Sequence, residues 1–185
     1  MTEELKKRTN EKMDKAIEML RRELASVRTG RASLALLDGI MVDYYGTPTP
    51  LSQVAALSVP DSRTITIQPW EPSMIVAIEK IIMKSDLGIT PANDGKTIRL
   101  AVPMLSEERR KEIVKLAHRK GEDSKVAIRN IRRDANDELK KMEKEKLITK
   151  DEHKQVHDEI QKITDKHVKR VDEILAHKEE EIMEV

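Results

Sequence analysis

All seven prolines of this 185-residue chain lie between Pro48 and Pro103. Proline removes a helical hydrogen bond and clashes with the preceding turn. The chain therefore has two end stretches that can run as uninterrupted helix and a central stretch that cannot. Charge divides it the same way. Residues 1–29 carry 8 basic and 6 acidic side chains, residues 30–105 only 6 and 7, and residues 106–185 carry 21 and 21. The ends read as charged helices and the middle as an ordinary compact unit.

Apolar spacing supports this division. Leu5, Met13, Ala16, Leu20, Leu24 and Val27 form one stripe at helical spacing, which predicts a helix over about residues 3–28, stopped at Gly30. Ser106 followed by Glu107 and Glu108 predicts a helix start. Ile113, Leu116, Ile128, Ile131, Ala135, Leu139 and Met142 carry that helix onward, with Gly121 tolerated inside it. Lys146–Lys150 reads as a turn, and Thr149 with Glu152 as the capping box of a further helix. Val156, Ile160, Ile163, Val171, Ile174 and Ile182 give that helix a seam close to a coiled-coil repeat.

In the middle, residues 40–45, 57–59, 64–67 and 97–102 read as strands. Ile75, Ile78, Ile81 and Ile82 mark a helix that starts near Pro72 and ends near Gly88. Two long charged helices joined by a short turn need a third partner to close a core, and the N-terminal helix supplies it. The expected fold is α+β in two domains. Residues 1–29 and 106–185 form a long three-helix bundle, and residues 30–105 form a small α+β domain inserted into it. A double linker should make the molecule L-shaped and hinged.

Composition excludes several functions. The chain has no Cys, so disulfides, thiolate metal sites and a Cys nucleophile are out. Aromatics are 2% of the residues, too few for a base-stacking platform. No apolar run approaches the roughly 20 residues of a membrane span, and the first residues lack a signal-peptide core. A soluble protein of a reducing compartment is expected. There is no Walker loop, dinucleotide fingerprint or nucleophile elbow. His153 and His157 have zinc-compatible spacing but no evident third ligand, and His167 lies too far along the helix to join them. These histidines read as exposed polar residues, and Asp14, Glu18 and Glu23 as helix-surface acids. No catalytic residue, metal or cofactor is expected. Of the pair Tyr44–Tyr45, alternation turns one inward and one outward.

The informative signal is local charge. Residues 109–133 hold ten basic and three acidic side chains, whereas residues 134–185 hold 11 and 16. On a helix, Lys125, Arg129, Arg132 and Arg133 share a sector of about 100°, some 120° from the apolar stripe. Two readings stand. One is a solvated face with intrahelical ion pairs. The other is a row that binds RNA or another polyanion, each Arg gripping a phosphate with two hydrogen bonds. A helical scaffold with an acidic protein partner, a transfer-RNA-binding arm, and an enzyme with its site in the middle domain are further alternatives. The last lacks any nucleophile or phosphate loop.

Three motifs carry a resemblance: Arg28-Thr-Gly-Arg-Ala-Ser33, Tyr44-Tyr-Gly-Thr-Pro-Thr-Pro-Leu51 and Arg129-Asn-Ile-Arg-Arg-Asp-Ala-Asn136. With Glu107-Glu-Arg-Arg-Lys111 and Leu87-Gly88, they make the whole chain resemble the bacterial ribosome recycling factors. That resemblance implies an L-shaped fold of a bundle and a hinged insertion. It implies a non-catalytic, cytoplasmic, monomeric translation factor. Such a factor would bind the post-termination ribosome on large-subunit ribosomal RNA. With elongation factor G and GTP it would split the subunits, releasing messenger RNA and deacylated transfer RNA. Matched position by position, the resemblance implies ribosomal-RNA contacts at Arg28, Arg110, Arg129, Arg132 and Arg133. It implies a hinge at Gly30, Arg31, Pro103, Met104 and Leu105. It assigns no function to the region around Trp70.

Overall fold

The computed structural model describes residues 1–184. By its contacts the chain separates into two units, residues 1–27 with 110–185 and residues 28–109. Among the described residues no helix is long and apolar enough to cross a membrane.

The first unit is a three-helix bundle of α1 (Thr2–Ala25), α4 (Glu107–Lys144) and α5 (Lys150–Met183). Helix α1 stops three residues before the expected end, where the Ser26 N–H donates to the Arg22 carbonyl and the Val27 N–H to the Leu24 carbonyl. Met13, Ile17, Leu20 and Leu24 of α1 meet Ala117 and Ile128 of α4 and Val171 and Leu175 of α5 in one core cluster. Leu5, Ala135, Leu139, Val156 and Ile160 form a second. The expected stripes are largely the buried ones, but Ala117 replaces Leu116, which is exposed.

Helix α4 opens as its sequence requires, with Ser106 Oγ accepting the Arg109 N–H at 3.2 Å. The α4–α5 turn also follows its local chemistry. Lys146 takes a left-handed φ of 60°, and Thr149 and Glu152 complete a reciprocal capping box. The two Thr149 bonds to the Glu152 carboxylate hold it below its ordinary value of 4.5, the backbone N–H contributing most.

Two seam positions depart from the sequence-based expectation. Gly121 is buried, and a Cβ built on it would lie 2.3 Å from Leu175 Cδ1. The glycine is there because α5 approaches too closely for a side chain. His167 is buried rather than exposed. Its Nε2 lies 3.0 Å from Asp14 Oδ1 on α1 and its Nδ1 2.7 Å from the Ile163 carbonyl, so Asp14, with a side chain 43% exposed, bonds a buried ring from the helix surface.

The second unit, residues 28–109, holds six strands where the sequence suggests four. The extra ones, β2 (Thr47–Pro50) and β5 (Pro91–Asn93), are short and contain Pro, and strand patterns exclude Pro except at edges. Strand β1 (Met41–Tyr44) pairs with β2 as an antiparallel hairpin. Strands β3 (Ala55–Asp61), β4 (Thr64–Pro69), β6 (Ile98–Ala101) and β5 form an antiparallel sheet in the order β3-β4-β6-β5. The one-turn helix α2 (Leu51–Val54) and helix α3 (Ile75–Lys84) complete the unit, α3 ending at Lys84 rather than near Gly88. Ile65 and Ile67 of β4, Ile98 and Leu100 of β6, and Ile78 and Ile82 of α3 are all fully buried in one cluster.

Candidate nucleic-acid interface

The basic stretch of residues 109–133 lies on α4, and its side chains divide by what α5 brings opposite them. Lys125 leaves the row the sequence suggests. Its side chain is 13% exposed, and Nζ sits 2.7 Å from Asp172 on α5 and 3.0 Å from Glu122. Those two carboxylates, Asp172 first, raise its pKa above the ordinary lysine value. Arg132 is half-buried and donates from Nη1 to Gln161 Oε1 on α5 at 3.1 Å. Arg129 and Arg133 are exposed. Among the described residues neither makes a hydrogen bond or ion pair.

The free cations extend toward the helix start. Lys115 and Arg119 are exposed on the same side of α4 as Arg133; 18 residues separate Lys115 from Arg133, or about five turns and 27 Å. Neither has a partner among the described residues. The sequence reading missed these two because the count of charges over 25 residues did not distinguish faces. Arg110 is half-buried at the start of the helix. One turn beyond Arg132, Asn136 has a buried Oδ1 with no protein partner.

An intrahelical network does not absorb the row. Several of the bundle's acids pair across helices: Glu159 with Lys6, Glu138 with Arg8 at 2.5 Å, Glu23 with Lys120 at 3.0 Å. Exposed pairs of this kind contribute roughly 0–1 kcal/mol each. None of them involves Arg129 or Arg133, whose guanidinium groups have no partner among the described residues. What remains is a solvent-facing line of cations whose forks fit phosphate oxygens.

The other expected site residues lie in the 28–109 unit. Arg28 donates to the Leu87 carbonyl at 3.3 Å and to the Asp86 carbonyl, occupying part of its five-donor fork. Gly30 has φ +78°, and a Cβ there would meet Leu105 Cγ at 3.1 Å. Gly30, Arg31, Pro103 and Leu105 line a cavity of about 120 Å³ with Leu36 and Ile89. Met104 is exposed. The structure thus gathers four of the five expected hinge residues around one apolar cavity within this unit.

Each histidine of the pair lies beside a carboxylate: His153 contacts that of Glu143, and His157 Nδ1 lies 3.5 Å from Asp158. Among the described residues no group of three metal-ligating side chains occurs.

A family model described as ribosome recycling factor matches residues 20–183. The ribosome-recycling factor of Oleidesulfovibrio alaskensis is 60% identical over 177 residues, 96% of each chain. That of Geobacillus kaustophilus is 54% identical over 185 residues, covering all of both. The solution structure of a ribosome recycling factor superposes with a TM-score of 0.79 at 39% identity, over 100% of this chain and 98% of that one. A second structure places the T. thermophilus ribosome recycling factor and the E. coli elongation factor G on the E. coli post-termination complex. It matches with a TM-score of 0.68 at 45% identity over 99% of both chains. With its family motifs, its fold and its full length matched in this way, the chain belongs to the ribosome recycling factor family.

Proposed function

We propose that this protein binds the post-termination ribosome and, together with elongation factor G and GTP, divides it into subunits. Messenger RNA and deacylated transfer RNA are then released for a new round of translation. It acts in the cytoplasm as a non-catalytic factor, the energy coming from the partner's GTP.

The observation that carries this reading is the exposed line of Lys115, Arg119, Arg129 and Arg133, none of which has a partner among the described residues. Ribosomal RNA presents phosphates along a rigid surface, and a helix-borne row of guanidinium groups suits binding by shape and charge. Arg132, held by Gln161, keeps four further N–H donors for the same surface. Arg110, at the start of the same helix, and Arg28, in the other unit, are further ribosomal-RNA contacts. The chain passes between its two units twice. Gly30, Arg31, Pro103, Met104 and Leu105 beside those passages serve as the hinge that lets the insertion move when the partner pushes on it.

Light scattering tests the function. Post-termination ribosomes mixed with this protein, cognate elongation factor G and GTP should lose scattering only when both proteins are present. No loss, together with no ribosome binding at low salt, would sink the reading. Arg132→Gly should weaken ribosome binding while the helical circular dichroism stays unchanged, and unchanged affinity would remove Arg132 from the interface.

A further inference from the structure

The chain has three aromatic residues, Tyr44, Tyr45 and Trp70; both tyrosines bond Glu71, and Trp70 is its neighbour in the chain. The Tyr44 hydroxyl donates to Glu71 Oε1 at 2.7 Å and the Tyr45 hydroxyl to Glu71 Oε2 at 2.9 Å. The two rings meet edge to face, with centroids 4.7 Å apart and planes at 75°. Tyr44 is half-buried against the core, but Tyr45 is 81% and Trp70 67% exposed. Tyr45 also carries a left-handed φ of 49°, a conformation disfavoured for a bulky residue. Its side chain adds nothing to the core of its own unit, yet it is held in one orientation by a carboxylate and a neighbouring ring.

We propose that this surface, Tyr45 and Trp70 about the Glu71 carboxylate, is where elongation factor G docks, through basic side chains of that factor. The proposal rests on the recycling role above and names a contact for it. Charge selects a protein over RNA. Residues 32–79 contain five acidic side chains and a single cation, Arg63, so a phosphate backbone would be repelled where α4 would attract it. A guanidinium or ammonium group is suited to the same place. The exposed Tyr45 ring offers a cation–π face, and Glu71 offers two carboxylate oxygens with acceptor capacity left beyond the two hydroxyls. The hydroxyl of Tyr44, and then that of Tyr45, holds Glu71 below its ordinary value and so ionised at neutral pH. Asp43 adds a second negative charge at the same hairpin, where its Oδ1 accepts the Gly46 N–H at 2.7 Å. An aromatic group already fixed before its partner arrives loses little rotamer freedom on binding, and Tyr and Trp are the residues that anchor protein interfaces.

The test uses the full chain and separates ribosome binding from factor dependence. Tyr45→Ala, Trp70→Ala and Tyr45→Phe are compared with the parent in two assays. One is binding to post-termination ribosomes without the factor. The other is subunit splitting as a function of elongation factor G concentration. Expected are ribosome affinities within about twofold of the parent. The half-saturating factor concentration should rise about tenfold or more for Tyr45→Ala and by several fold for Trp70→Ala, as for interface anchors. Tyr45→Phe keeps the ring and loses the Glu71 bond, and should rise less. An unchanged factor dependence in both alanine variants overturns the proposal. So does a loss of ribosome affinity without the factor, which would assign the patch to a ribosomal component. A concentration-dependent dimer of the free protein that Tyr45→Ala abolishes would assign it to a second copy and overturn it as well. Should Tyr45→Ala fail to fold, Trp70→Ala and Tyr45→Phe decide. If the parent itself does not split ribosomes, the recycling role fails, an outcome distinct from a parent that splits with variants that match it.

Discussion

The bundle and the insertion solve the same burial problem with opposite compositions. The bundle carries 52 of the chain's 69 Lys, Arg, Asp and Glu side chains, and the insertion 17. The core of the insertion is a block of Ile, Leu and Val on a sheet and one helix face. The bundle instead threads small and polar residues along its seams: Thr9, Ala117, Gly121, Ser124, Ala135, Thr164 and His167 are all buried. Thr9 and Thr164 donate their hydroxyls back to Leu5 and Ile160 carbonyls at 2.7 and 2.8 Å. They therefore need no partner across the seam. The difference teaches how a thin, highly charged rod stays together. It brings its helices close with small residues, as at Gly121, and ties them with some of its charges, as between Lys125 and Asp172 or Arg8 and Glu138. The insertion, with few charges, exposes two of the chain's three aromatics, Tyr45 and Trp70.

Core truncation should break this contrast most forcefully. Ile128→Ala in the bundle and Ile67→Ala in the insertion, both fully buried, should each cost about 2–5 kcal/mol in chemical denaturation. If the units unfold separately, Ile67→Ala leaves the main helical transition in place. A matching shift of that transition by both variants would join the two units into one cooperative block.

The next largest effect should come from the closest helix approach. Gly121→Val should lose about 1–3 kcal/mol by overpacking against Leu175. In a Leu175→Ala background the same change should cost much less. Additive losses in that double-mutant cycle would show that the glycine is there for another reason.

Thr149→Ala should cost about 1 kcal/mol through loss of the cap. Part of that has a definite pH dependence. Glu152 is lowered in the folded state, so its contribution is present above the ordinary carboxylate pKa. It is lost as pH falls through the lowered folded value. The difference between parent and variant, from urea titrations at neutral and acid pH, should shrink toward acid. A constant difference would separate the cap from the carboxylate.

The smallest change in stability should accompany a large change in function. Arg129→Ala and Arg133→Ala should each move stability by no more than about 0.5 kcal/mol. Each should also lower the salt dependence of ribosome binding by about one unit of slope. A stability loss well beyond that would return the row to the bland reading of a structural charged face.

Much of this was legible in the chain. The three long helices, the Ser106 and Thr149 caps, the turn at Lys146 and the core strands at residues 64–67 and 97–102 rest on periodicity or on side chains within one turn of the groups they bond. Strands β2 and β5 were not legible, since Pro48, Pro50 and Pro91 argue against strand in any local pattern. Of the site, the basic character of residues 109–133 was readable, and the recycling-factor motifs pointed to its Arg residues. Which cations stay free was not. Lys125 looks like a member of the row until Asp172 is placed across from it, and the one Arg132 donor that Gln161 takes is visible only in the fold.

By itself, then, the sequence determined the order and type of the long elements, the buried stripe of each helix and the region that carries positive charge. Those depend on neighbours three or four residues apart. Only the tertiary structure decided the fates of Gly121, Lys125, Arg132 and His167, and the shared hold of Glu71 on two tyrosines. Each of these depends on a side chain that a different segment brings within 3–4 Å, and no periodicity along one segment encodes what the facing segment will present.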